Sequence, residues 1–248
     1  MYRIFISLFL VACGLQADSP RLHLCTTASH WKPEVEQLIN SCDANGLAIE
    51  VFGLGEPFTL DNKLRHCMAF IENLPDDDVA MFVDAYDVLL LAGEEKILDA
   101  FLSMNEPIVF SGEAKCHPYK QVAAKYPESP TKFRYLNSGS YIGYVKDLKR
   151  VFAAMLPIPP GSDDQALFTL YMLYHPGEIA IDYYCKLFLT LHRVADQQVK
   201  FDLNRRNLRF RTTGTYPCLA HGNGKEGQKL YQHIYTTLFA SEYGELIK

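Results

Sequence analysis

Residues 81–88 read Met-Phe-Val-Asp-Ala-Tyr-Asp-Val, an apolar run that stops at two acids, Asp84 and Asp87. Val79 to Val83 has the length and side chains of a buried strand. A strand interior disfavours a carboxylate, so Asp84 marks its C-terminal end, and in open α/β sheets that end faces the ligand crevice. Asp84 and Asp87 are three residues apart across a turn and can point at one cation. Two hard oxygen ligands, with positions left for phosphate oxygens, suit Mg²⁺ or Mn²⁺. The competing structural account is an Asp that caps the next turn.

Three further segments carry candidate chemistry. In His221-Gly222-Asn223-Gly224 the glycines remove side chains and let backbone N–H groups approach a phosphate. The plain alternative is a Gly-Asn-Gly turn. Ser162-Asp163-Asp164-Gln165 reads as a capping box, with Ser162 as the cap and Gln165 at the third helical position. Leu136-Asn137-Ser138-Gly139 reads as a turn with Gly139 at positive φ, ahead of an apolar strand, Tyr141–Val145.

The elements that must position these residues alternate. Leu22 to Thr26 is a first strand, followed by a helix opened by Pro33, with Val35, Leu38, Ile39 and Cys42 on one face and Gly46 as the stop. Ala48 to Phe52 is a second strand, ending at Gly53-Leu54-Gly55. Asp61 caps the next helix, whose apolar face holds Leu64, Cys67, Met68 and Ile71. After the strand ending at Asp84 come a helix over Glu94–Met104 and a strand over Pro107–Ser111. The second half is less regular, with a Pro-rich break at Pro157 to Pro160, a helix over Asp163–Tyr174, and short strands near Ile179–Ile181 and Tyr216–Ala220. Such alternation implies an α/β fold with a mostly parallel central sheet flanked by helices.

The chain has 248 residues, 48% of them hydrophobic, which builds one sizeable core without requiring two domains. Its net charge of −5, with no basic tail, argues against a nucleic-acid partner. Met1-Tyr2-Arg3 followed by apolar Ile4 to Ala12 fits a signal peptide over residues 1–17 rather than a membrane-spanning helix. Leu10-Val11-Ala12-Cys13 also looks like a lipobox, which would place a lipid on Cys13. The expected product is exported, secreted or periplasmic, with its functional domain over residues 18–248. The six cysteines beyond Cys13 show no Cys-x-x-Cys spacing, which disfavours zinc. Cys42 and Cys67 lie on apolar helix faces, and spacing assigns no disulfides.

Gly53-Leu54-Gly55-Glu56, the run Met81 to Val88, Leu136-Asn137-Ser138-Gly139 and His221-Gly222-Asn223-Gly224 together resemble the glycosyltransferase domain of the procollagen lysyl hydroxylase (PLOD) family. Asp163-Asp164-Gln165 with Leu167-Phe168 looks like the end of that family's poly-Asp stretch. The likeness covers roughly residues 22–235. It implies a GT-A fold, a UDP-sugar donor and Mn²⁺, with Asp84, Asp87 and His221 as metal ligands. It also implies that Asp163 and Asp164, the latter more strongly, face the transferred sugar, that Asn137 contacts sugar or acceptor, and that Tyr86 and Lys63 belong to the nucleotide half. Gly222, Asn223 and Gly224 would meet the diphosphate. The family's lysine beyond this loop falls on Gly227, and Lys225 and Lys229 flank it as substitutes. Phe58 and His117 stand where some animal members have tryptophan, Ser140 replaces a glycine, and the acidic run is shortened to two.

The resulting expectation is a metal-dependent hexosyltransferase that uses a UDP-sugar and a protein or glycan hydroxyl acceptor. Two rivals are a non-catalytic sugar-binding module on the same fold and a HAD-type phosphatase. The second needs Asp-x-Asp rather than the Asp-x-x-Asp found here.

Overall fold

The computed structural model describes residues 19–240, so the expected leader and Cys13 lie outside the described residues. In chain order the elements are β1 (Leu22–Thr27), α1 (Pro33–Asp43), β2 (Glu50–Phe52), α2 (Leu60–Glu72), β3 (Val79–Val83), β4 (Val88–Leu90), α3 (Glu94–Leu102), β5 (Ile108–Glu113), β6 (Tyr135–Tyr144), α4 (Val145–Ala154), α5 (Asp164–Tyr174), β7 (Ala180–Asp182), β8 (Phe188–Thr190), β9 (Val199–Asp202), β10 (Asn207–Phe210), β11 (Leu219–His221) and α6 (Gly224–Leu238). They form a six-stranded sheet in the order β2-β1-β3-β6-β5-β7, a three-stranded sheet β4-β11-β8, and a hairpin β9-β10.

The strand β3 shows why the large sheet is buried on both faces. Ala80 and Phe82 point into the cluster packed by α2, α4 and α5, while Val79, Met81 and Val83 enter the cluster on the opposite face. Alternate side chains of one strand thus feed two cores, so its sequence reads as a continuous apolar run. A third cluster, with Leu230, Tyr231 and Ile234 of α6, lies under the small sheet.

The fold is the expected α/β class, with three differences that matter for the site. First, β6 runs antiparallel to both β3 and β5, while the other pairings of the large sheet are parallel. Second, Asn137 to Gly139 is not a free turn. It lies inside β6, and the pairing with β5 jumps from Phe110↔Tyr141 to Ser111↔Asn137. The β6 residues between these partners bulge away from β5, while the pairing with β3 continues through Val83↔Ser140. The asparagine that suggested a turn is the last paired residue before that bulge and the glycine lies within it, and Gly139 is not at positive φ. Third, Val145 opens the helix α4 instead of ending a strand. Sequence reading missed α4 and the short strands β4, β8, β9 and β10.

Two caps also differ. Asp163, not Ser162, caps α5, its Oδ1 accepting from Ala166 N at 2.8 Å, while Ser162 Oγ donates to Pro159 O. Thr59, not Asp61, caps α2. Asp61 accepts from Gly161 N at 2.9 Å and so ties α2 to the segment before α5.

Candidate active site

Asp84 leaves the C-terminal end of β3 and its N–H donates to the Gly139 carbonyl of β6 at 2.8 Å. Asp87 closes the turn. His221 ends β11, which pairs antiparallel with β4 so that His221 stands opposite Val88, and Gly222 N donates to Asp87 O at 2.7 Å. This register brings the histidine from the end of the chain to the acidic turn. Oxygens of Asp84 and Asp87 and a ring nitrogen of His221 all lie within 4.8 Å of one another. His221 Nε2 is 3.3 Å from Asp87 Oδ1 and 3.8 Å from Asp84 Oδ2. Ligands at about 2.0–2.6 Å from a shared ion stand at such mutual separations.

Each carboxylate turns one oxygen toward this point and has the other held elsewhere. Asp84 Oδ1 pairs with Lys63 Nζ at 2.7 Å, and Asp87 Oδ2 accepts from Gln228 Nε2 at 3.3 Å. The histidine ring is fully enclosed, with Nδ1 buried and without a hydrogen-bond partner among the described residues. A Cβ on Gly139 would lie 2.2 Å from His221 Cε1 and 2.6 Å from Asp84 Oδ2, so only glycine allows β6 to pass this close to the ligand set. Two carboxylates and an imidazole, two of them pre-aimed, fit a hard-to-borderline divalent cation.

Lys63 is not the exposed helix lysine that its sequence also allowed. It is buried on α2 between Asp84 and Asp164, 2.9 Å from Asp164 Oδ2, with a further hydrogen bond to the Ser138 carbonyl at 3.3 Å. Burial pulls its pKa down, but the charges of Asp164 and Asp84 outweigh this, and the net shift is upward. His221 behaves alike: burial lowers its pKa, Asp87 raises it, and the net direction is up. For Asp87, burial raises the pKa, but the nearby His221 more than offsets this, to a net depression.

A cavity of about 250 Å³ opens beside the cluster, lined by Lys63, Asp84, Tyr86, Asn137, Asp163 and Asp164 among others. The structure thus gathers six of the sequence candidates on one wall system. Phe58 and His117 line it too. Tyr86 is anchored by its hydroxyl, which donates to His30 O at 3.0 Å and accepts from His30 N at 3.1 Å. Asn137 Oδ1 accepts from Gly139 N at 3.0 Å and from Ser111 Oγ at 3.1 Å, which holds the bulge in shape. Asn223 Oδ1 accepts from His192 N at 3.0 Å, so this side chain pins the Gly222–Gly224 loop to the end of β8.

Lys225 and Lys229 are different. Both are exposed on α6, and neither pairs with a residue of the cluster. Gly227, at the position where the family has lysine, packs on the Gly222 carbonyl, and an added Cβ would meet that oxygen at 3.1 Å. This backbone therefore leaves no room for a side chain at position 227.

Two site residues escaped the sequence reading. Gln228 sits one helical turn after Gly224, and only the docking of α6 shows that it reaches Asp87. Glu113 ends β5 inside the protein. It accepts from Gln165 Nε2 at 2.8 Å and Asn137 Nδ2 at 3.4 Å through one oxygen, and from Asn223 Nδ2 at 3.5 Å through the other. Burial raises its pKa. It links the bulge, the start of α5 and the glycine loop. The acid directly after Val-Phe-Ser-Gly was a usable signal, since it repeats the pattern of a strand ending in a carboxylate. Asp182 looks similar in sequence but is structural, accepting from the backbone N–H groups of Lys186, Leu187 and Phe188.

Comparison with known proteins agrees with this geometry. The family described as the PLOD GT domain matches residues 18–234. Among curated relatives, protein R699 of Acanthamoeba polyphaga mimivirus is 29% identical over 78% of this chain and 43% of its own length. Mouse procollagen-lysine,2-oxoglutarate 5-dioxygenase 1 is 32% identical over 71% of this chain and 26% of its own. Human multifunctional procollagen lysine hydroxylase and glycosyltransferase LH3 is 28% identical over 90% and 34%. The chain therefore spans less than half the length of these relatives. The apo structure of the bifunctional glycosyltransferase WbbM superposes with a TM-score of 0.52 over 92% of this chain and 52% of its own, at 10% identity, a likeness of fold. With the Asp-Asp-His cluster, the glycine loop and the acidic start of α5 gathered at one end of a GT-A-like sheet, the chain belongs to the PLOD glycosyltransferase-domain family.

Proposed function

We propose that this protein is a metal-dependent glycosyltransferase that moves a hexose, glucose or galactose, from a UDP-sugar to a hydroxyl of a protein or glycan acceptor. One observation carries the reading: Asp84, Asp87 and His221 present ligand atoms within 4.8 Å of one another, beside a cavity bounded by Lys63 and Asp164. Mn²⁺, or Mg²⁺, held by these three residues would supply positive charge to the diphosphate as the sugar–oxygen bond breaks. The protein's own groups do the rest. Lys63 keeps Asp84 aimed and carries a second positive charge into the cavity. Asp164 and Asp163 face the sugar, where a carboxylate bonds hydroxyls or stabilises an oxocarbenium-like centre. Asn223 and the backbone of Gly222 and Gly224 shape the phosphate side, and Tyr86 the nucleotide side. We also propose that the chain is exported through its N-terminal apolar segment, which N-terminal sequencing of the secreted product tests.

The function is tested with purified protein, Mn²⁺, a panel of UDP-sugars and detection of released UDP. UDP-glucose or UDP-galactose should be turned over slowly without acceptor, and EDTA should stop it. Asp84→Asn and Asp87→Asn should each lower the rate by about 10²-fold or more. Unchanged turnover in both variants contradicts the metal assignment. UDP-sugar binding without turnover would make the chain a binding module.

A further inference from the structure

The hairpin β9-β10 and its flanks are basic, in a chain whose net charge is −5. Lys200 and Arg209 stand directly opposite each other across the two strands, both exposed. Facing like charges destabilise a strand pair, and neither residue has an acidic partner among the described residues. Beside them lies a concavity of about 340 Å³, lined mostly by charged and polar side chains, including Lys200, Asp202, Asn204, Arg209 and Tyr216. Tyr216 collects two further cations over its ring, Arg205 at 5.5 Å and Lys96 at 5.8 Å from the centroid. The one acid of the lining, Asp202, is engaged locally, accepting from Arg205 N at 3.3 Å and lying 3.6 Å from Arg205 Nε. Lys200 and Arg209 thus line the concavity, and Arg205 and Lys96 adjoin it over the Tyr216 ring at its edge. Tyr216 lies before β11, at the end of that strand away from His221, so this surface is separate from the candidate active site.

We propose that this surface binds an acidic glycan, a chain bearing sulfate or uronate groups. Its anionic substituents pair with Lys200, Arg209, Arg205 and Lys96, and the hydroxyls between them use Asn204 and Tyr216. A single-stranded nucleic acid would need an open aromatic face on which to stack its bases, and the Tyr216 ring already carries Arg205 and Lys96. The proposal does not depend on the transferase reading, because it concerns binding alone.

The test is fluorescence polarisation of the whole protein with a labelled sulfated hexasaccharide. The comparison arms are a neutral glucan of the same length, an oligoglutamate and a single-stranded oligonucleotide of equal charge. The sulfated sugar should bind, the neutral glucan should not, and affinity should fall roughly tenfold or more between about 50 and about 250 mM salt. Lys200→Glu should weaken binding at least about fivefold, and Lys200→Glu with Arg205→Gln at least about tenfold. Lys200→Glu faces Arg209 with an opposite charge, so its melting temperature should be unchanged or higher, and Arg209→Gln provides a second variant. Equal affinity in the variants, or oligoglutamate or oligonucleotide binding as tightly as the sulfated sugar, overturns the proposal.

Discussion

At the scale of single residues, the site is built by side chains that use both ends of each polar group. Asp84 holds Lys63 with one oxygen and faces His221 with the other, and Asp87 does the same between Gln228 and His221. Such division of labour fixes a carboxylate's direction, which a lone acid at a strand end does not achieve. The tightest constraint falls on a residue with no functional group. Gly139→Ala places a methyl 2.2 Å from His221 Cε1 and 2.6 Å from Asp84 Oδ2. The ring and the carboxylate must then separate, and Mn²⁺ affinity should fall by about 10²-fold or more, within or above the range for loss of a supporting group. Titration of the ion by electron paramagnetic resonance measures this directly, and unaltered affinity would show that the ion is held elsewhere.

At the scale of elements, two irregularities decide where the chemistry goes. Where β6 bulges away from β5, the Ser138 carbonyl accepts from Lys63, and the Gly139 carbonyl carries the β3–β6 register on to Asp84. The turn after β7 is held by Asp182, which gathers three backbone N–H groups and so sets the path into β8, the strand beside β11. Asp182→Asn puts an amide donor against those N–H groups. Unfolding in urea should show a loss of about 2–4 kcal/mol, as expected for leaving buried donors unmatched. Because β8 supports β11, nucleotide binding should weaken as well. A variant with wild-type stability would mean that this turn is held by its apolar contacts instead.

At the scale of the whole molecule, the candidate site joins the two sheets. Asp84 belongs to the end of the six-stranded sheet, His221 to the three-stranded one, and Asp164 to a helix packed on the first. A ligand that spans them should stabilise the whole fold by linkage. At about 100 times its Kd, Mn²⁺ with UDP contributes about 2.7 kcal/mol, or a rise in Tm of roughly 5–10 °C for a chain of this size. Differential scanning fluorimetry should show this rise in the wild type and lose most of it in His221→Ala. A full shift in that variant would remove His221 from the site. The six described cysteines are buried thiols, so in this structure the cohesion between sheets rests on packing and hydrogen bonds rather than cross-links.

The sequence alone determined the parts whose signal is local. The apolar run of β3 with its terminal acid, the periodicity of α1 and α2, and the glycine loop after His221 each declare themselves within a few residues. Burial on both sheet faces and close backbone approach leave a compositional mark. The order and spacing of four such segments also carried the family resemblance. What only the tertiary structure decided is non-local: that β6 runs antiparallel with a bulge over residues 138–140, that Lys63 lies between two acids, that Gln228 and Glu113 join the site, and that Lys225 and Lys229 are exposed on α6 without a partner in the cluster. Those outcomes depend on strand register and helix docking. Both are set by which apolar faces meet, and no short stretch of chain records that meeting.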